Sequence, residues 1–273
     1  MNKPPQITDR AALNKNRSRM TETFLFDAVA DEIQERLGEV NRTFTDVAVV
    51  SGQPDYWGQY FPNATHAADT DLLDLKPLQH DLVIHAMSMH WANDPIGQIV
   101  QSRNALRPDG LFLCAMFGGQ TLHELRTCLA EAESRVTGGL SPRIAPMGEI
   151  RDMGSLLQRS SVALPVADTA VLNVSYADIW ALMRDVRAMG ESNALDARLR
   201  TPTRRAVFET AGEIYKSHYV DDQGRINATF EIIYLTGWAP SDDQQKPLRP
   251  GSAQARLADA LGAKELKLPD TNN

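Results

Sequence analysis

The stretch that decides the fold runs from Asp81 to Phe117, DLVIHAMSMHWANDPIGQIVQSRNALRPDGLFLCAMF. Two apolar runs bracket it, Asp81–Met87 and Leu111–Phe117. Each is continuously apolar rather than alternating, which marks parallel strands covered on both faces. Between them Asp94 is placed to cap a helix and Pro95 to take its first position, while Ile96, Ile99, Val100 and Leu106 share one face. Pro108-Asp109-Gly110 then turns the chain. Strand, helix and strand in so short a segment predict a right-handed βαβ unit.

Working outward, Thr45–Val50 is a third apolar run, preceded by an amphipathic helix over Met20–Leu37 that Gly38 ends. Downstream, helices are expected near Thr121–Val136, Gly148–Arg159, Tyr176–Met189 and Thr203–Tyr219, and strands near Val166–Val174 and Ala228–Ala239. This alternation gives an α/β fold with a doubly wound, mostly parallel sheet. The expected organisation is a basic N-terminal arm (1–19), a central domain (20–239) with a helical insertion over about 137–219, and a mobile tail (240–273).

The chain has 273 residues and a net charge of −7, which excludes nucleic-acid binding by the molecule as a whole. Its start is locally basic, with Lys3, Arg10, Lys15, Arg17 and Arg19 against Asp9. That run is either a solvated helix start or a docking arm for an acidic partner or membrane surface. Two cysteines, Cys114 and Cys128, make no disulfide framework and suit a reducing cytoplasm. No apolar stretch reaches the roughly 20 residues that span a bilayer and no signal-peptide pattern precedes residue 20, so any membrane contact is expected to be peripheral.

Candidate ligand-binding residues gather after the strands, where open α/β sheets hold their ligands. Gly52 follows Val47–Val50 and reads either as part of a cofactor loop or as a strand-ending turn; Gln53, Pro54, Asp55, Tyr56 and Trp57 replace further glycines. Asp69 is a candidate cofactor contact or part of a solvated acidic turn with Asp71 and Asp74. Met87, Ser88, His90 and Trp91 follow the second apolar run. His90 is a candidate general base, with loop packing as the alternative, and His85 reads as a hydrogen-bonded histidine within its strand. Met116 lies near the end of the Leu111–Phe117 run, and Gly118 and Gly119 after it either let a substrate or a loop come close or start the next helix. Glu191, Ser192 and Asn193 form a polar cluster after Gly190, either a pocket wall or a solvated helix end. Arg143 and Arg126 read as exposed arginines or partners of an acidic group. No His, Cys or carboxylate set has metal-ligand spacing, and there is no P-loop or nucleophile elbow.

The order of elements resembles that of class I S-adenosylmethionine-dependent methyltransferases. DLVIHAMSMHWANDP is similar to their fourth strand and following loop, and LRPDGLFLCAMFGG to the turn into strand five. More narrowly, MFGGQTLHELR, GGLSPRIAPM, MRDVRAMGESNAL and ATFEIIYLTGW resemble bacterial relatives of a mitochondrial complex I assembly factor, a family whose activity is arginine hydroxylation on a complex I subunit. The resemblance implies a Rossmann-like sheet with an antiparallel last strand and S-adenosylmethionine as cofactor, held by Gly52, Asp69, Met87 and Ser88. It implies a catalytic role for His90, and a substrate pocket of Trp91, Met116, Gly118, Gly119, Glu191, Ser192 and Asn193. The substrate would be a protein side chain such as arginine, or a small carboxylate. The alternative is a non-catalytic assembly protein that has lost the cofactor.

One segment departs from that pattern. HAADTDLLDLKPLQHDLVI reads as the strand-three segment leading into strand four, with Asp69 beside the adenine. THAAD reads equally as strand two, which keeps the ribose acid and loses strand three. Either way the cofactor lobe is truncated, and Tyr56, Trp57, Tyr60 and Phe61 are candidates to fill the space a nucleotide occupies in relatives.

Overall fold

The computed structural model describes residues 6–244. The chain divides into two compact units, Met1–Pro240 and Ser241–Asn273, and everything below concerns the first; the expected tail lies almost wholly outside the described residues. Six strands, β1 (Val47–Ser51), β2 (Thr65–Ala68), β3 (His80–Ala86), β4 (Leu106–Phe117), β5 (Ala163–Tyr176) and β6 (Ile226–Trp238), form one sheet in the order β2-β1-β3-β4-β6-β5. Neighbours from β2 to β4 are parallel, whereas β6 runs antiparallel to both β4 and β5.

Helices cover both faces. They are α1 (Arg10–Arg17), α2 (Phe24–Glu39), α3 (Pro54–Trp57), α4 (Pro95–Ala105), α5 (His123–Thr137), α6 (Ile150–Arg159), α7 (Ile179–Ala188) and α8 (Arg205–His218). Successive side chains of a strand point to opposite faces, and β4 shows the result. Leu111, Leu113, Ala115 and Phe117 join a core with α2, α5, α7 and α8, while Phe112, Cys114 and Met116 join a second core with α4 and α6. Fully covered strands explain the unbroken apolar runs. Asp94 caps α4 as expected, its carboxylate accepting from the Gly97 N–H at 2.9 Å. Pro108-Asp109-Gly110 is not a turn before the strand but a bulge inside β4: Asp109 is left-handed (φ 61°), and the register with β3 jumps between His80 and Leu82.

The lost element is now placed. β2 lies beside β1 at the sheet edge, in the strand-two position, and among the described residues no strand lies beyond it. Only residues 52–64 connect β1 to β2, near the minimum of about a dozen for a parallel crossover. They hold one turn of helix. The expected helical insertion over 137–219 also needs correction, because β5 lies inside that span and forms a sheet edge. The helices inserted between β5 and β6 are α7 and α8 alone.

Candidate functional site

The carboxyl ends of β1, β2 and β3 bring Gly52, Asp69 and Met87 to one edge of the sheet. The space between Gly52 and Asp69 belongs to α1. The Arg17 side chain is only 3% exposed, and its Nη1 lies 3.0 Å from each Asp69 carboxylate oxygen. A Cβ added at Gly52 would overlap the same guanidinium. Arg10 Nη1 adds a third bond to Asp69 at 3.0 Å. Burial pushes the Asp69 carboxyl up, but the charges and hydrogen bonds of Arg17 and Arg10 outweigh it and hold the carboxyl below its ordinary range. The basic run is therefore neither a solvated helix start nor a free arm at these two positions: Arg10, Leu13 and Arg17 share one helical face, and Leu13 is fully buried.

This arrangement bears on the fit of a cofactor. A nucleotide-type cofactor needs a glycine cradle open to its backbone and an acid free to receive hydroxyl groups. Here the cradle holds a guanidinium, both oxygens of the acid are engaged, and among the described residues no strand lies beyond β2. The residues present do not fit S-adenosylmethionine. The aromatic residues of the shortened crossover are not what fills the cradle. Trp57 is fully buried against Phe26 of α2, and the Tyr56 and Tyr60 hydroxyls donate to Asp27 at 2.6 and 3.2 Å.

Beside the cradle, a cavity of about 250 Å³ opens between α5, α7, α8 and the ends of β4 and β6. Its walls are mainly apolar, with Trp91, Phe117, Leu125, Met183, Phe208 and Phe230 among them, and Arg143, Arg187 and Glu191 as the charged members of the lining. Leu122 also lines it, in a left-handed conformation (φ 53°) that a branched side chain seldom adopts without a local reason. Glu191 is the acid of the cavity. Its Oε2 accepts from the Trp91 indole N–H at 2.7 Å and meets His90 Nε2 at 3.2 Å. Its Oε1 is buried and has no hydrogen-bond partner among the described residues. Burial pushes this carboxyl up, yet His90, the nearby Arg17 charge and Trp91 together hold it below its ordinary range. It is an anion, with one oxygen uncommitted. Arg143 also lines the cavity, but the buried Glu133 carboxylate (Nε to Oε2, 3.0 Å) and Thr203 (2.9 Å) take its charge.

Of the residues expected at the site, Trp91, Glu191, Ser192 and Asn193 line the cavity. The others do not. His90 has a fully buried side chain, lies outside the lining, edges Phe117 at 4.9 Å and meets Glu191 Oε2 through Nε2 at 3.2 Å. Ser88 is buried and hydrogen-bonds His85 Nδ1 at 3.2 Å. His85 in turn meets Gln98 at 2.7 Å, as expected for a histidine held within its strand. Met87 is a fully buried left-handed residue (φ 46°). Met116 points into the opposite core, with α4 and α6. Gly118 and Gly119 make room for the chain's own carboxylates, since a Cβ on either would overlap Glu231 or Glu149. Sequence reasoning missed Arg10 and Arg17; their spacing with Leu13 on one helical face was the available signal.

Three comparisons bear on this geometry. No protein-family model matches the chain. Among curated proteins, it is 40% identical over 192 residues to the zebrafish (Danio rerio) arginine-hydroxylase NDUFAF5, mitochondrial, a match covering 70% of this chain and 60% of that protein. The human NDUFAF5 is 38% identical over 70% of this chain and 55% of its own length. A malonyl-[acyl-carrier protein] O-methyltransferase of Xylella fastidiosa is 32% identical, over 67% and 59% respectively. Among solved structures, a Haemonchus contortus phosphoethanolamine N-methyltransferase 2 aligns over 77% of this chain and 53% of its own, with a TM-score of 0.40 and 11% identity. That likeness is too loose to add weight to the strand order and the sequence matches. Together these last two define the class: the chain belongs to the class I methyltransferase superfamily. Within it, the more similar relatives are the NDUFAF5 arginine-hydroxylases, of whose length the matched stretch spans about half.

Proposed function

We propose that this chain serves the assembly of respiratory complex I by binding an arginine side chain of a partner subunit in the cavity at Glu191. One observation carries the reading: a buried, ionised carboxylate with an oxygen unbonded among the described residues lines a mainly apolar cavity. A guanidinium on an alkyl stem matches both features, since the stem packs on Trp91, Phe117 and Met183 while the head bonds Glu191. The NDUFAF5 relatives, named for arginine hydroxylation, support the choice of arginine. The Arg17 side chain between Gly52 and Asp69 favours binding over methyl transfer. Two buried, unpaired thiols are in keeping with a reducing compartment such as the cytoplasm. Among the described residues no helix is long and apolar enough to cross a membrane.

The test is a titration of the full chain with a short peptide carrying one arginine, and the same peptide with citrulline. Arginine peptide should bind more tightly, and Glu191→Gln, which keeps an acceptor for Trp91, should weaken it by roughly tenfold to a hundredfold. Equal binding of both peptides, or no effect of Glu191→Gln, would end this reading. Binding of malonate in the same cavity would favour a small carboxylate instead.

A further inference from the structure

Glu191 shares the lining of its cavity with Arg187, and the two differ in their access to solvent. The Glu191 side chain is only 7% exposed, whereas Arg187, in the last turn of α7, is exposed. Arg187 and Ser192 also border a second hollow, completed by Asn16 and the exposed Arg19. Backbone bonds hold the two arginines together. The Thr21 and Glu22 N–H groups donate to the Ala188 carbonyl at 2.7 and 3.1 Å, and the Asn16 amide donates to the Ser192 carbonyl at 2.9 Å, which sets the end of α1 against the end of α7. A basic residue at a helix end often serves the helix by bonding its last carbonyls. At α7 the carbonyls of Val186, Arg187 and Ala188 already accept from the N–H groups of Glu191, Gly190 and Thr21. Among the described residues neither Arg19 nor Arg187 is joined to a carboxylate, unlike Arg143 of the same lining, which Glu133 holds. The chain carries a net charge of −7, so this basic rim is a local feature.

We propose that the cavity and its rim read a charge pattern in the partner: an arginine side chain that enters toward Glu191, and an acidic side chain two residues away that meets Arg187 and Arg19. This rests on the arginine reading of the Glu191 cavity and narrows the partner to a segment with arginine and an acid at second positions. In an extended segment residues i and i+2 project to one face, about 7 Å apart, while the residue between them faces away. An arginine that enters the cavity therefore carries its second neighbours onto the rim. Salt screens attraction at the exposed arginines far more than at the buried Glu191, so the two halves of the pattern separate by ionic strength.

The full chain is titrated calorimetrically with four end-capped peptides: one arginine with glutamate at both second positions, the same peptide with glutamine there, and the citrulline counterpart of each. At low salt the glutamate–arginine peptide should bind about twofold to tenfold more tightly than the glutamine–arginine peptide, and this advantage should fade near roughly 0.5 M salt. Arg187→Gln and Arg19→Gln should each reduce the advantage, and the double variant should abolish it while binding the glutamine–arginine peptide no more weakly than the natural chain does. Arg159→Gln removes an equal charge from the exposed end of α6 and should leave the advantage intact. Arginine preferred over citrulline with no gain from glutamate overturns this proposal alone. It is also overturned if the advantage survives in the double variant, or if Arg159→Gln reduces it equally. Equal binding of arginine and citrulline peptides overturns the arginine reading, and this proposal with it.

Discussion

Replacing Arg17 with alanine tests whether α1 holds the cradle. In the folded chain Arg17 and Asp69 are 3% and 6% exposed, and the pair is joined through Nη1 at 3.0 Å to both carboxylate oxygens. Breaking a buried pair from one side costs about 3–5 kcal/mol when the remaining charge is left alone. Asp69 is not left alone, because Arg10, itself 25% exposed, still reaches Oδ2 at 3.0 Å. The expected loss therefore falls just below that range, about 2–3 kcal/mol. For a chain of this size that corresponds to a fall in Tm of roughly 5–10 °C. Urea unfolding followed by circular dichroism reads it directly.

Acidity gives the same experiment a second readout. The Asp69 carboxyl is held lower in the folded chain than its unfolded value of about 3.9. A group with a lowered folded pKa stabilises fully above its unfolded value, and that contribution is lost as pH falls through the folded value. The gap between the natural chain and Arg17→Ala should accordingly be full at pH 6–7 and narrow below about pH 4. Arg17→Ala combined with Asp69→Asn should recover part of the loss at neutral pH, since it removes the under-compensated charge. A single variant within about 0.5 kcal/mol of the natural chain, the range of an ordinary surface substitution, would refute the docked role of α1. A gap that widens on acidification would refute the pairing. S-adenosylmethionine at 100 times a dissociation constant would stabilise by about 2.7 kcal/mol; the natural chain should show no shift at millimolar cofactor.

Two further perturbations reach the same region. Gly190 has φ +78°, and a Cβ there would lie 3.0 Å from the Arg17 Cα, so Gly190→Ala should cost about 1–3 kcal/mol in urea unfolding. Gly38→Ala, with nothing within 4 Å of the added Cβ, should be nearly neutral. Burial lowers the His85 ring to about 4, so it stays neutral in the fold while the unfolded chain takes up a proton near pH 6.5. Stability should fall by roughly 3 kcal/mol between pH 6.5 and 4 on this account; proton NMR should find one ring titrating near 4, and His85→Asn should flatten that part of the stability profile.

The fold was legible where burial is two-sided. Asp81–Met87 and Leu111–Phe117 had to be unbroken apolar runs because β3 and β4 touch helices on both faces, and Asp94-Pro95 fixed the start of α4. Within the site, Glu191 to Asn193 and Trp91 were legible through family words rather than spacing. Met116 was misread because alternation along β4 sends neighbours to opposite faces: Phe117 reaches the cavity and Met116 cannot. Gly52, Gly118 and Gly119 admit a ligand, a loop or a plain turn by sequence, and in the fold each accommodates a side chain of the chain itself. A glycine reports that something comes close, not what. The partner of Gly52 lies on another helix far back in sequence, and only Arg10, Leu13 and Arg17 on one face hinted at it.

The shortened crossover and the docked helix belong to one physical solution. Among the described residues no strand lies beyond β2, so Asp69 follows the edge strand of the sheet, and it is still only 4% exposed. A buried carboxylate must be paired, and Arg10 and Arg17 pair it. The same helix holds the wall of the Glu191 cavity. Asn16 donates to the Ser192 carbonyl at 2.9 Å, the Asp9 N–H to the Ala194 carbonyl at 2.8 Å, and Gly190 lies against the Arg17 backbone. Asp9, which caps α1, also pairs with Arg198 at 2.9 Å and Arg200 at 2.8 Å just beyond that wall. Releasing α1 to open the cradle would therefore strip Asp69 of its counter-charges and untie the segment that carries Glu191. The cavity keeps its shape because the cradle is filled, so ligand binding at Glu191 should weaken, not improve, in any variant that frees α1.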